Sequence, residues 1–195
     1  MFDSLCQPHL DYCIQLWAPQ EGPQMDKIED VLRNFTKQIP EIRKECYWDR
    51  LRRLKMNSEI RRIERYKIMY IWKVLEARVP NPGIQTVPLN EHRGRMCNVP
   101  FTRNNQKIAT FQVSGAKLFN ALPKEIRNFR TGAIEDFKEL LDAFLTTIPD
   151  EPRSPGMTPR ATDQLESKAS NSLLHQIPRA WREGLPCGWR NQLAS

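Results

Sequence analysis

From Ser58 to Leu75 the apolar residues Ile60, Ile63, Ile68, Ile71, Val74 and Leu75 recur at the helical period, and only an α-helix gathers that spacing on one side. Two further segments repeat the pattern. Ile28, Val31, Leu32, Phe35 and Ile39 mark one, opened by a capping-box-like Asp26 and Glu29 and closed by Pro40. Ile134, Phe137, Leu140, Leu141, Phe144 and Leu145 mark the other, which opens at Thr131 and carries Glu135, Asp136 and Glu139 in its early turns, where the helix dipole favours negative charge. Three such stripes, at 28 to 39, 60 to 75 and 134 to 145, predict a mostly α protein whose apolar faces meet in one core.

Shorter elements fill the intervals. Leu5, Leu10, Cys13, Ile14 and Trp17 fit a single helical face with Pro8 in the first turn, and Pro19, Gly22 and Pro23 close it. A helix over 47 to 54 is expected to turn Leu51 and Leu54 inward and Arg50, Arg52 and Arg53 outward. Between Val79 and Arg103 the helical period disappears among four prolines. There the runs 84 to 87 and 96 to 99 predict a small β-hairpin within 84 to 113. Ser114 is the expected N-cap of a helix bearing Ala116, Leu118, Phe119 and Leu122, stopped by Pro123. Residues 1 to 148 thus read as one helical domain. Residues 149 to 195, rich in Pro, Ser, Arg and Thr, read as a disordered tail whose one apolar cluster, 172 to 177, is too small to offset its ordering entropy.

The net charge of +7 is not evenly spread: 12 basic and 5 acidic residues between Arg43 and Arg78 account for all of it. A local surplus of this kind marks a surface for a polyanion. Five widely spaced cysteines without a CxxC pair speak against a disulfide framework or a zinc ribbon and suit a reducing compartment. No apolar run reaches the roughly 18 residues of a spanning helix, and no signal peptide is recognisable, so an intracellular chain without a membrane partner is expected.

Few residues suggest catalysis or cofactor binding. Cys6, His9 and Cys13 have helical spacing but lack a fourth ligand, and packing is the better account of them. His92 with Cys97, and His175, have no partner in view. The nucleophile elbow GxSxG is absent, and Gly83, Gly94 and Gly115 stand singly, without the spacing of a phosphate loop. No cofactor is predicted.

In order along the chain stand Pro8-His9-Leu10-Asp11-Tyr12 with Trp17 and Pro19, then Asp26 to Ile39-Pro40, then 47 to 54 with Arg61, Arg62 and Arg65. Val113 to Pro123 follow with Phe137, Lys138, Leu141, Phe144 and Leu145. This succession resembles the region after the polymerase core in reverse transcriptases of jockey-like, LINE-type non-LTR retrotransposons, over residues 5 to 148. The resemblance implies a C-terminal fragment of an RNA-directed DNA polymerase, beginning where the catalytic palm has ended. Its partners would be template or primer nucleic acid and the upstream polymerase domain. The family's chemistry uses adjacent aspartates in a tight turn to hold two divalent ions. This chain has no Asp-Asp pair, and Glu29-Asp30 and Glu135-Asp136 fall in helices, where neighbouring side chains diverge by about 100°. No catalytic residue is carried over, and no enzyme activity is expected.

The residues predicted to meet nucleic acid are Arg61, Arg62, Arg65 and Lys73 on the polar side of the 58 to 75 helix, Arg50, Arg52 and Arg53 nearby, and Tyr66 and Trp72 as stacking planes for unpaired bases. Glu64 and Lys67 intrude into the apolar arc, where pairing or snorkelling would accommodate them. The competing reading is a helical protein-interaction or structural module, a repurposed or decaying element product, whose charges only solubilise it.

Overall fold

The computed structural model describes residues 5–18, 22–87, 94–101, 110–130, 132–151, 172–178 and 181, and they are mostly helical. They fall into two compact units, one within Met1–Tyr66 and Pro149–Ser172, the other within Lys67–Ile148 and Leu173–Ser195.

The first unit contains α1 (Gln7–Asp11), α2 (Ile14–Trp17), α3 (Gly22–Lys37), α4 (Tyr47–Leu54) and the beginning of α5 (Glu59–Leu75). The single helix expected from Leu5 to Trp17 is broken at Cys13, which adopts the left-handed conformation with φ of 51°. Such a conformation costs a non-glycine residue about 1–2 kcal/mol, and burying Ile14 returns about as much or more. Ile14 and Ala18 pack with Met25 and Ile63, while Tyr12 stays exposed. The same packing explains why α3 starts a turn before Asp26: Met25 is drawn into the cluster, and Pro23 is tolerated in a first turn. Leu32 meets Tyr47, Trp48 and Leu51 in a second cluster, whereas Val31 faces solvent. The helix α4 has the expected bounds and ends at Lys55, whose positive φ permits a Schellman-type closure from the Met56 N–H to the Leu51 carbonyl at 3.0 Å.

The second unit combines the rest of α5 with α6 (Phe111–Ala121), α7 (Lys124–Arg127), α8 (Ile134–Thr146) and α9 (Leu173–Gln176). Its core joins Ile68, Ile71 and Trp72 to Ala116, Phe119, Phe137, Leu141 and Phe144. The helix α6 begins at Phe111 behind Thr110 and not at Ser114, because Phe111 packs edge-on against Tyr70 and Val113 is buried. Ser114 is therefore inside the helix. Gly115 has a steric reason: a Cβ there would stand 3.1 Å from Cγ1 of Ile71. Among the described residues the expected hairpin is reduced to an antiparallel bridge, Thr86 to Cys97, with no strand. The Asn120 side chain takes the place of a further strand, accepting from the Cys97 N–H and donating to its carbonyl, both at 2.8 Å.

Two expectations change. The three apolar faces do not share one core, because α5, 17 residues and about 25 Å long, gives Ile60, Ile63 and Tyr66 to one cluster and Ile68 to Leu75 to another. The face of α3 belongs with the first unit, that of α8 with the second. Most of the segment read as a disordered tail lies outside the described residues. Of those described, Leu173 and Ile177 are buried in the second core, and α9 lies against α6. Each buried aliphatic side chain contributes about 1.5–3 kcal/mol, so a short cluster can be ordered when a groove exists to receive it.

Candidate nucleic-acid interface

The residues predicted to form the basic face separate sharply by environment. Arg61 is 1% exposed, Arg50 3% and Trp72 wholly buried, so none of the three presents its side chain to an external ligand. Arg50 donates through Nε to the Thr36 hydroxyl at 3.1 Å and through an Nη to the Glu45 carbonyl at 2.7 Å, fastening α4 to α3 and to the loop before it. Arg61 reaches the Pro149 carbonyl at 3.0 Å and lies 3.5 Å from the Asp150 carboxylate. Trp72 stacks on Phe137 with centroids 4.5 Å apart and planes 7° from parallel, and its indole N–H donates to the Phe129 carbonyl at 3.1 Å. These three leave the proposed interface. The helical wheel misplaced Arg61 and Trp72 because α5 is buried well beyond its apolar arc, and Arg50 because α4 packs on α3 through it.

Arg62 and Tyr66 are half-buried and share one acceptor, the Asp11 carboxylate, each at 2.9 Å. Gln7 donates to the other oxygen of Asp11 at 3.0 Å. Asp11, the acidic residue of the Pro-His-Leu-Asp-Tyr run, is thus the anchor of the N-terminal helix. The Arg65 guanidinium lies over the Tyr66 ring, and Lys73 is half-buried with no ion pair among the described residues. Glu64 and Lys67 are both buried, and Glu64 accepts a hydrogen bond from the Ser172 hydroxyl. Arg52 and Arg53 remain exposed, pairing with Asp49 and Glu45, each at 2.5 Å.

Sequence reasoning missed the buried acids. Glu29 accepts from the Tyr47 hydroxyl and from the Glu59 N–H at 2.9 Å, and Asp150 accepts from the Ser58 N–H at 2.6 Å and from its hydroxyl at 2.8 Å. Burial pushes the Glu29 and Glu59 carboxyls each up to about 7, and it raises Asp150 against the pull of Arg61. Burial also lowers the Arg61 guanidinium.

Exposed positive charge gathers in sequence around the N-terminal part of the predicted site. Lys37, Arg43, Lys44 and Lys55 are exposed and carry no ion pair among the described residues; Arg52 and Arg53 stand beside them. The Arg53 to Glu45 bridge and the Arg50 bond to the Glu45 carbonyl hold the 38 to 46 loop, which carries Arg43 and Lys44, against α4 with Arg52 and Arg53. Glu41, Glu45 and Asp49 lie among them in sequence, and Glu151 stands 3.6 Å from Arg52.

Other candidates resolve differently. Cys6 is exposed and Cys13 sits at the break between α1 and α2, and no group of three metal-ligating side chains occurs among the described residues. Cys97 is buried within the bridge, and His92 and the side chain of His175 lie outside the described residues. A cavity of about 510 Å³ in the second unit is lined by Arg95, Glu76 and Arg130 among others. Its Arg95 is committed to the Glu76 carboxylate and the Leu75 carbonyl, both at 2.5 Å, as a cap on the C-terminus of α5. No helix among the described residues is long and apolar enough to cross a membrane. No family model, curated protein or solved structure matches the chain.

Proposed function

We propose that this chain is a noncatalytic C-terminal portion of a LINE-type reverse transcriptase that steadies template or primer nucleic acid through its phosphates. The ordered run of sequence segments supports the parentage. The observation that carries the binding role is the patch formed by Lys37, Arg43, Lys44 and Lys55 with Arg52 and Arg53 beside them. The side chains of Lys37, Arg43, Lys44 and Lys55 are exposed donors with no ion pair among the described residues, so they can neutralise phosphates without giving up a structural bond, which Arg50, Arg61 and Arg62 cannot do. With Trp72 buried and the Tyr66 hydroxyl engaged, base stacking falls away and the recognition is of the backbone alone.

Four neutralised phosphates give a slope of about −3.6 for log affinity against log salt on duplex, with little sequence preference. Titration of the full chain against RNA and DNA duplexes from low to moderate ionic strength measures this. Glutamine at Lys37, Arg43, Lys44 and Lys55 together should abolish most of that slope while leaving the circular dichroism spectrum unchanged. A variant that binds with the parent's slope rejects the patch, and a parent that forms no complex at low salt rejects the function.

The interaction-module reading has one observation in its favour, the exposed Leu5, Tyr12 and Trp17 around the N-terminal helices. It predicts that a protein partner is retained by the four-glutamine variant.

A further inference from the structure

Among the buried carboxyls of the first unit, Glu29 and Glu59 have no use in the nucleic-acid reading. Glu29 joins three elements: from α3 it accepts the Tyr47 hydroxyl at the start of α4 and the backbone N–H of Glu59 at the start of α5. Glu59 itself is fully buried, and neither of its carboxylate oxygens accepts a hydrogen bond of ordinary geometry. A buried anion short of well-formed hydrogen bonds is among the costliest groups a fold can hold, and a proton removes the charge.

The surroundings cannot supply the missing compensation in full. Around Glu59 stand Arg62 and Gln7, which favour its charged form, and Asp11, which opposes it. Arg62 is already held by Asp11 at 2.9 Å. Around Glu29 stand Tyr47, Glu59 and Asp150, while Arg33 lies over the Tyr47 ring at 4.9 Å and Arg50 at 5.6 Å. Arg61 faces Asp150. The helix N-terminus favours nearby negative charge, yet its first two N–H groups are already taken by Asp150 and Glu29.

We propose that Glu29 and Glu59 form a proton-operated latch, closing α3, α4 and the start of α5 together while at least one of the two carboxyls carries a proton and loosening them when both are ionised. The sign follows from linkage. Each carboxyl is held at about 7 in the closed unit and returns to the ordinary glutamate value of 4.5 when the unit opens, so the closed form binds more protons. The closed form is therefore favoured most below about pH 4.5, and the advantage is lost progressively as pH rises to about 7. This runs opposite to the usual salt-bridged carboxylate. The latch does not depend on nucleic-acid binding.

Hydrogen exchange of the full chain, corrected for intrinsic rates, should show the opening constant of amides in 47 to 54 rising at least about tenfold per pH unit between about pH 5 and 7. Glu59→Gln and Glu29→Gln should each flatten that slope, and Glu59→Gln should lower the opening constant at about pH 7.5. A flat or inverted slope in the parent overturns the latch, as does an unchanged slope in both variants. Should either variant fail to fold, carboxyl-carbon NMR titration of the parent decides: two glutamate midpoints near 7 support the latch, and midpoints confined to the ordinary range near 4.5 overturn it.

Discussion

Replacing Trp72 by alanine is expected to destabilise the second unit by about 3–5 kcal/mol, a large fraction of what holds a unit of this size together. The indole is wholly buried, stacked on Phe137 and within 6.4 Å of the Phe129 ring centroid, so its removal leaves a void between α5 and α8 that a close-packed core cannot fill by relaxing. Trp72→Phe separates packing from polarity. It keeps an aromatic face against Phe137 but leaves the Phe129 carbonyl without its donor, a loss nearer 1 kcal/mol. Urea unfolding followed by circular dichroism measures both. An alanine variant with the parent's midpoint would contradict the buried position, and one that stayed fully folded but lost nucleic-acid affinity would restore Trp72 as a stacking plane.

Arg61→Ala is expected to unfold the first unit before it affects any ligand, at a cost of about 3–5 kcal/mol. The loss has two parts: the Pro149 carbonyl is deprived of its donor, and the Asp150 carboxylate of its nearest cation. Asp150 in turn caps Ser58, whose hydroxyl accepts from the Arg61 N–H at 3.2 Å, so the start of α5 loses support as well. Arg52→Ala provides the contrast, since an exposed arginine in an i,i+3 pair changes stability by about 0.5 kcal/mol or less. Thermal unfolding of the two variants side by side gives the answer. Equal melting temperatures would mean that Arg61 is a surface residue after all.

The two variants show where the sequence was informative. Periodicity found α4 to the residue and α5 and α8 nearly so, because each pairs an apolar stripe with a turn or proline at its ends, and these are local properties. It erred at the starts of α3 and α6, where burial of Met25 in one case and of Phe111 and Val113 in the other extended the helix beyond the best capping residue. It also joined α1 and α2, since nothing in Tyr12-Cys13 announces a left-handed residue.

The basic segment was visible as a count of charges, and its division into structural and free cations was not. Arg50, Arg52 and Arg53 are neighbours in one helix, yet the first is buried against Thr36 and the other two face water. Whether an arginine is available depends on an acceptor far along the chain, as Arg61 depends on Asp150 and Arg62 on Asp11. The same holds for Glu29 and Glu59, ordinary helix carboxylates by sequence.

The amino-acid order by itself determined that the chain is helical, where its principal helices run and that its excess positive charge is local, because helix formation and charge density are set by residues a few positions apart. Only the tertiary structure decided that the apolar faces divide between two units, that Trp72 and Arg61 lie inside them, and that Lys37, Arg43, Lys44 and Lys55 are left exposed to solvent. Burial and pairing are settled by which distant segments meet, and a pattern of nearest neighbours does not contain that information.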